Sequence, residues 1–377
     1  MGKVSLVKTH RGIKEGLSDA LDLIGGLGCY VTHGDRVMLK PNLNGIEGCT
    51  NRQLVESLIQ LLSDFSVRKV FIAESTFGDK NATNMFFHKT GYSELARKYG
   101  IELFNLNESE AVEVKVAKPL LLEKLRIAKE VYEADRIINL PNMKVHYATG
   151  ITLAMKNLKG LLVGNEKRHF HEVGLDKAIV DLNNTIRPHL NVVDAISCME
   201  RMGPRGGDII NLDLIMAGED AAEVDCIGCA VMGYAIDEVR HLKYFIEANG
   251  IDIGKINVVG ERIEDVRHPF KKVTMGSIVP GKFKIRDKNA CSSCMNAFLL
   301  SCSLLDGEPA RFADVYMGSI LDESETSGGM SIAFGNCCPD DRAFDIRIRG
   351  CPPFPFALKE SLKRDADQGP ILDFASR

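Results

Sequence analysis

Short apolar runs and amphipathic stretches alternate along the first 260 residues or so. Lys3–Lys8, Arg36–Leu39, Lys69–Ala73, Ile101–Asn105 and Arg136–Leu140 each read as a strand. Between them, Ile13–Ile24, Gln53–Leu62 and Ala82–Tyr99 carry apolar residues at helical spacing, with Leu54, Leu58, Leu61 and Leu62 on one face. Strands separated by helices predict βαβ units, hence an α/β fold whose largely parallel sheet is flanked by helices. The rhythm goes on with helices over 151–162, Leu175–Ile186, Ala221–Tyr234 and Val239–Asn249, and strands at Asn191–Ala195, Asp213–Ala217 and Ile256–Gly260. It breaks around His268-Pro269-Phe270. The pattern predicts an α/β domain over 1–275 and a small C-terminal α/β module over 280–377.

Several predicted strands run out into polar groups: Lys40, Asn42 and Asn44; Glu74, Ser75 and Thr76; Asn139, Asn142, Lys144 and His146. Lys156, Asn157 and Lys159 follow on the next helix. Ligands of open parallel sheets bind beyond the carboxyl ends of the strands. A mouth of lysines and amides there suits a carboxylate or phosphate, and solvated loop residues are the plain alternative. The expected anion contacts are Lys40, Asn42, Asn142, Asn157 and Lys159. Lys144, Lys156 and His146 are the catalytic candidates, with His146 as proton donor because an ordinary imidazole titrates near neutrality. His169-x-His171, if extended, would face one side and could bind a metal, but a surface or hydrogen-bonded pair is the preferred reading. No Gly-x-Gly-x-x-Gly or Walker loop follows the first strand, so no nucleotide site is expected.

Cysteine changes the picture. The chain has 11, and five fall in three C-terminal clusters: Cys291-Ser-Ser-Cys294, Gly335-Asn-Cys337-Cys338 and Gly350-Cys351-Pro-Pro. The last two follow apolar strand runs, and the first opens a predicted helix over Met295–Leu304. A close pair plus two remote singles can surround a cubane or a tetrahedral metal. The single pair, and a last cysteine followed by proline, favour a [4Fe–4S] cluster over zinc. Cys291, Cys294, Cys337 and Cys351 are the expected ligands, with Cys338 as the alternative to Cys337. Cys302 lies two helical turns, about 12 Å, beyond Cys294 and is read as core. Cys226-x-x-Cys229 sits in an apolar helix and is read as packing.

The remaining composition mostly excludes. A net charge of −4 with both signs mixed gives no footprint for nucleic acid or a membrane surface. No apolar run approaches the length of a membrane span, and the start of the chain has no signal-peptide character. The cytoplasm is therefore expected, and there an odd number of thiols points to ligation and packing rather than to a disulfide framework.

The runs Asn139-Leu-Pro-Asn-Met-Lys-x-His146 and Thr152-Leu-Ala-Met-Lys-Asn-Leu-Lys-Gly160 resemble the domain of unknown function 362 family, as do Leu39-Lys-Pro-Asn42, Ala73-Glu-Ser75 and Ala221-Ala-x-Val-Asp225. The resemblance covers roughly residues 35 to 240. It implies iron–sulfur association, because many members carry ferredoxin-type clusters; this chain lacks their Cys-x-x-Cys-x-x-Cys-x-x-x-Cys-Pro run. The family looks distantly related to the N-terminal domain of the nickel-dependent lactate racemase. Separately, the order of the C-terminal cysteines is similar to the proximal cluster site of nickel–iron hydrogenase small subunits, and subunits of respiratory complex I share the Gly-Cys-Pro element. That resemblance implies cluster ligation by Cys291, Cys294, Cys337 and Cys351, and electron transfer.

Together these readings predict an iron–sulfur protein that couples electron transfer to reductive chemistry on a small anionic substrate or cofactor. Two alternatives stand beside it. One is a non-catalytic electron carrier or assembly factor that docks on a redox protein partner. The other is a hydrolase or isomerase stapled by zinc.

Overall fold

A computed structural model of the chain describes residues 2–76, 80–204, 206–272, 276, 278–287, 290–307, 309–319 and 328–365. The chain divides into two units, Met1–Lys272 and Val273–Arg377. The break expected between residues 275 and 280 falls partly outside the described residues, as does the end of the C-terminal module.

The larger unit is built on β1 (Lys3–Lys8), β2 (Arg36–Pro41), β3 (Lys69–Glu74), β4 (Glu102–Asn105), β5 (Ala111–Lys115), β6 (Lys124–Ala128), β7 (Arg136–Leu140), β8 (Asn142–His146), β9 (Gly150–Thr152), β10 (Leu190–Glu200), β11 (Asp208–Gly218) and β12 (Asn257–Gly260). Its main sheet runs β12-β1-β11-β10-β7-β2-β3-β4, with β8 and β9 attached through β10. The pairs β10–β7, β7–β2, β2–β3, β3–β4 and β1–β12 are parallel, while β11 is antiparallel to both neighbours. The fold is therefore α/β with a mostly parallel sheet flanked by helices.

Strand alternation divides the core in two. Val37 and Leu39 face one apolar cluster with helices Ile13–Leu23 and Arg52–Leu62, whereas Met38 faces the other with helices Leu175–Thr185, Ala221–Met232 and Arg240–Asn249. Phe71 and Ala73 against Ile72, and Val193 against Val192, repeat the split. Both faces of the sheet are thus covered, as parallel sheets require.

Several local expectations are corrected. Residues 151–162 are not one helix: β9 is followed by a single turn, Ala154–Asn157, and a 3₁₀ turn, Leu158–Leu161. The stretch Asn142–His146 after Pro141 is a strand that pairs in parallel with β10, Asn142 opposite Asp194 and Lys144 opposite Met199, with an irregularity between the two pairs. Ala82–Tyr99 is two helices, Lys80–Lys89 and Tyr92–Tyr99. His169 and His171 lie on helix Glu166–Val173, not on an extended segment. Two residues apart on a helix they point in different directions, and only His171 is partly covered.

The smaller unit holds a four-stranded sheet, β13 (Phe283–Arg286), β14 (Ala313–Tyr316), β15 (Met330–Phe334) and β16 (Ile346–Ile348), parallel throughout and in chain order. Helix Ser292–Ser303 follows β13 and helix Ala357–Asp365 follows β16. Phe298 packs its ring between Phe283 and Phe334, at 5.9 and 5.6 Å between centroids, and Cys302 lies in the same core. Among the described residues no helix is long and apolar enough to cross a membrane.

Candidate functional site

In the larger unit the polar ends of β2, β7 and β10 form a row. Lys40 is in register with Asn139, and Asn139 with Asn191. A chain of side-chain hydrogen bonds runs along it. Lys144 Nζ donates to Asn42 Oδ1 (2.8 Å), Asn42 Nδ2 to Asn157 Oδ1 (2.9 Å), Asn157 Nδ2 to Asn139 Oδ1 (2.8 Å), and Asn139 Nδ2 to Asn191 Oδ1 (2.8 Å). Asn191 Nδ2 ends the chain on the carbonyl of Glu219, 2.8 Å away. All of these residues are buried, so the network fastens the turn 154–157 to the strand ends. Asn42 and Asn157, expected to meet an anion, are engaged in this internal scaffold. Asn142 instead donates to Asp194 Oδ2 (3.0 Å) and the Ser197 carbonyl (2.7 Å), while its Oδ1 is buried without a partner.

Lys40 is likewise internal. It is fully buried and forms an ion pair with Glu74, itself only 4% exposed. Burial pushes the Lys40 amine down and the Glu74 carboxyl up, and each charge opposes the other's shift. Gly160 closes over this pair: a Cβ there would stand 1.8 Å from Glu74 Oε1 and 2.7 Å from Lys40 Cε. Lys167 donates to Asn107 Oδ1 (2.8 Å) and the Ser75 carbonyl (3.1 Å), and burial brings its amine down to about 7. Asp225, buried in helix Ala221–Met232, accepts the backbone N–H groups of Ala154 (2.7 Å) and Met155 (3.1 Å); burial raises its carboxyl to about 8.

A second group of cations lies beside this scaffold. Lys156 is 9% exposed, and among the described residues its amine has no recorded hydrogen bond or ion pair. Burial, followed by the charge of Lys144, lowers it to about 7, against a smaller pull from Asp176. Lys159 Nζ lies 2.7 Å from His171 Nε2, and burial with the charges of Lys156 and Lys167 holds it well below the usual lysine range. His146 Nδ1 accepts from the backbone N–H groups of Ala148 (3.1 Å) and Thr149 (3.3 Å), which leaves its proton on Nε2. Burial first, then Lys156 and Lys159, push this imidazole well below its usual value. The expectation of an ordinary imidazole titrating near neutrality is thus corrected: His146 is neutral there.

Sequence reading missed His241 and Asp176, which reach this group from two ordinary amphipathic helices. His241 is fully buried; neither ring nitrogen has a hydrogen-bond partner, nor does Asp176 Oδ1, 3.6 Å from His241 Nδ1. Thr152 Oγ1, on the residue opposite Lys144 in the β8–β9 pair, is also buried without a partner. Buried polar atoms in native proteins are nearly always satisfied, so these orphans mark places for water or ligand atoms. A cavity of about 330 Å³ lies elsewhere, where β1 and β10 begin, lined by Asn183, Arg187, Asp220 and Glu223 among others.

Residues 37–230 match the model of the family described as "Domain of unknown function (DUF362)". The chain belongs to this family. The match spans the lysine scaffold from Lys40 to Asp225, stops short of His241, and does not reach the C-terminal cysteines. A thylakoid-associated protein of Synechocystis sp. (strain ATCC 27184 / PCC 6803 / Kazusa) is 30% identical over 223 residues, which are 56% of this chain and 67% of that protein. Among solved structures, a protein from Thermotoga maritima is similar at 11% identity and a TM-score of 0.41, over 83% of this chain and 73% of its own. The lactate racemase apoprotein from Thermoanaerobacterium thermosaccharolyticum is similar at 12% identity and a TM-score of 0.41, over 84% of this chain and 69% of its own.

In the smaller unit the cysteines gather at the carboxyl edge of the sheet. Cys291 caps helix Ser292–Ser303 just after β13, while Cys337 and Cys351 follow the adjacent strands β15 and β16. The loops after β15 and β16 are tied by Gly335 N to the Ile348 carbonyl (2.9 Å), Asn336 N to the Gly350 carbonyl (3.0 Å) and Gly350 N to Asn336 Oδ1 (2.7 Å). Gly335, at φ 110°, lets the loop pass Cys294: a Cβ there would stand 3.1 Å from the sulfur. The buried Cys294 thiol is pushed far up, first by a hydrogen bond with Cys291, then by burial, then by the charges of Cys291, Cys351 and Cys337. Cys294 is thus within electrostatic reach of Cys291, Cys337 and Cys351. Cys338 points elsewhere, its Sγ 3.2 Å from the Tyr316 carbonyl. Burial raises Cys302 and Cys226 to about 12 and pushes Cys229 well up too, as expected of packing thiols. Among the described residues no three or more His, Cys, Asp or Glu side chains form a group that could hold a single metal ion.

Proposed function

We propose that the protein is an iron–sulfur protein that passes electrons in reductive chemistry on a small anionic substrate or cofactor. The observation that carries this reading is the placement of Cys291, Cys294, Cys337 and Cys351 in the segments that directly follow β13, β15 and β16 of one parallel sheet. The donor set fits a [4Fe–4S] cluster: four thiols, one close pair and two singles, each at a strand end or helix start where backbone N–H groups favour negative charge. Bound there, a cubane supplies one-electron transfer. In the larger unit, Lys156 is the first anion contact, supported by Lys144 and Lys159, with the Nε2–H of His146 as a hydrogen-bond donor. None of the eleven cysteines is in a disulfide, which supports a reducing compartment, the cytoplasm.

Anaerobic purification with metal and acid-labile sulfide analysis tests the reading. Iron and sulfide in equal amounts, with visible absorbance that bleaches on dithionite, are expected. Cys294→Ser should lose them, while Cys302→Ala and Cys338→Ala should keep them. Colourless protein carrying one zinc per chain would remove the electron-transfer reading and leave a structural metal.

A further inference from the structure

Lys156 differs from every other buried lysine of the larger unit. Lys40 is paired with Glu74, Lys144 with Asn42 and the Gly48 carbonyl, Lys159 with His171, and Lys167 with Asn107 and Ser75. Each of those amines has a neighbour that fixes it; the Lys156 amine, almost as deeply buried, has none recorded among the described residues. Asp176 and His241, on helices Leu175–Thr185 and Arg240–Asn249, are within electrostatic reach of it; they face each other at 3.6 Å, and neither ring nitrogen of His241 makes a hydrogen bond. Such a group leaves an amine and ring nitrogens free to meet a ligand that offers several polar atoms.

We infer that Lys156 is a carbonyl-capturing amine, and that the site takes a small oxo acid, a molecule with a ketone or aldehyde beside a carboxylate. The inference rests on the anion-site reading above and names its substrate class. The carboxylate lies towards the Lys159 side of the group, and the carbonyl carbon meets the Lys156 nitrogen. The nitrogen lone pair forms the C–N bond, the carbonyl oxygen takes up the two amine hydrogens, and water leaves, giving an imine with no oxidant or reductant consumed. The Nε2–H of His146 is available to the departing oxygen, because its Nδ1 is occupied by two backbone N–H groups. A lysine reacts in this way only as the free amine, and burial beside another cation is an established means of keeping it so. Lys156, lowered to about 7 by burial and by Lys144, meets that condition.

The test uses the full chain with pyruvate as the carbonyl probe and oxalate as an anion of similar size without a ketone. Pyruvate followed by borohydride should give one adduct per chain, mapped to Lys156 by peptide mass analysis, at least about tenfold faster than on any surface lysine, since those are almost wholly protonated at neutral pH. Lys156→Arg should abolish the adduct and keep the circular dichroism of the parent, while oxalate binding is read on the parent chain. No adduct on Lys156 in the parent chain, or adducts spread evenly over surface lysines, overturns the inference without recourse to any variant. The oxalate arm then separates the two readings: oxalate binding without an adduct leaves the anion site standing, and loss of both removes it as well.

Discussion

Glu74→Gln isolates the energetics on which the scaffold of the larger unit depends. Lys40 and Glu74 are 0% and 4% exposed, so neither can turn to water if its partner is neutralised. The substitution keeps the shape and leaves Lys40 with the Pro41 carbonyl at 2.9 Å and an amide oxygen in place of a carboxylate. Breaking a buried pair from one side costs about 3–5 kcal/mol, because a desolvated charge loses its counterpart. In a unit of this size each kcal/mol moves Tm by about 2–4 °C, so a fall of about 10 °C is expected. The chain contains no tryptophan, which makes far-ultraviolet circular dichroism the appropriate probe of melting. The pH dependence carries a sign. In the variant, burial still depresses the Lys40 amine below its unfolded value, so the unfolded state binds more protons between those two values. The deficit should therefore shrink as pH rises from 7 towards 10, as Lys40 becomes free to shed its proton. The double variant Lys40→Met/Glu74→Gln should cost less than the sum of the two single changes. A loss under about 1 kcal/mol, the range of an exposed pair, would refute the reasoning.

Two further outcomes follow from the same region. Asp225→Ala strands the backbone N–H groups of Ala154 and Met155 and should cost about 1–3 kcal/mol for each in a urea or thermal melt, with Asp225→Asn recovering part of the loss. Because burial raises the folded carboxyl to about 8, its contribution is complete below its unfolded value near 4 and is lost as pH rises through 8; the parent should thus lose ground to Asp225→Asn over that window. Oxalate affinity, followed by calorimetry, should weaken as pH rises above about 7, where Lys156 gives up its proton, by up to about tenfold per pH unit. Affinity independent of pH between 6 and 9 would show that Lys156 does not bear the charge that holds the anion.

What was legible in the chain, and what was not, depends on how local the determining interactions are. β2, β3 and β7 are apolar runs whose polar last residues mark the sheet edge, so period and punctuation suffice to place Lys40, Glu74 and Asn139 together. The cysteine motifs carry their own geometry: two residues between Cys291 and Cys294 make one helix start, and Gly335 and Gly350 mark strand ends that parallel pairing sets side by side. The strand β8 was hidden because Pro141 reads as a break, and its partners on β10, Asp194 and Met199, come more than fifty residues later. The lesser, extended reading of His169-x-His171 fails for a related reason: Lys167 and Phe170, three apart and both buried, set a helical period that a two-residue reading of the histidines ignores.

The roles of the lysines were invisible for a physical reason. A lysine at a strand end has the same sequence signature whether it meets water, an anion or a buried carboxylate, and the choice is made by partners such as Glu74, Asn42 and His171, which are brought close only by the fold. Burial then separates these amines further, because desolvation acts on all of them while compensation reaches only some. Lys40 keeps a carboxylate, and Lys144 and Lys167 keep amide and carbonyl oxygens. Lys159 keeps the His171 ring, and among the described residues the amine left without a partner is Lys156, within electrostatic reach of Asp176 and His241. Scaffold and reactive position are therefore built from one residue type, and what distinguishes them is whether the fold supplies a partner.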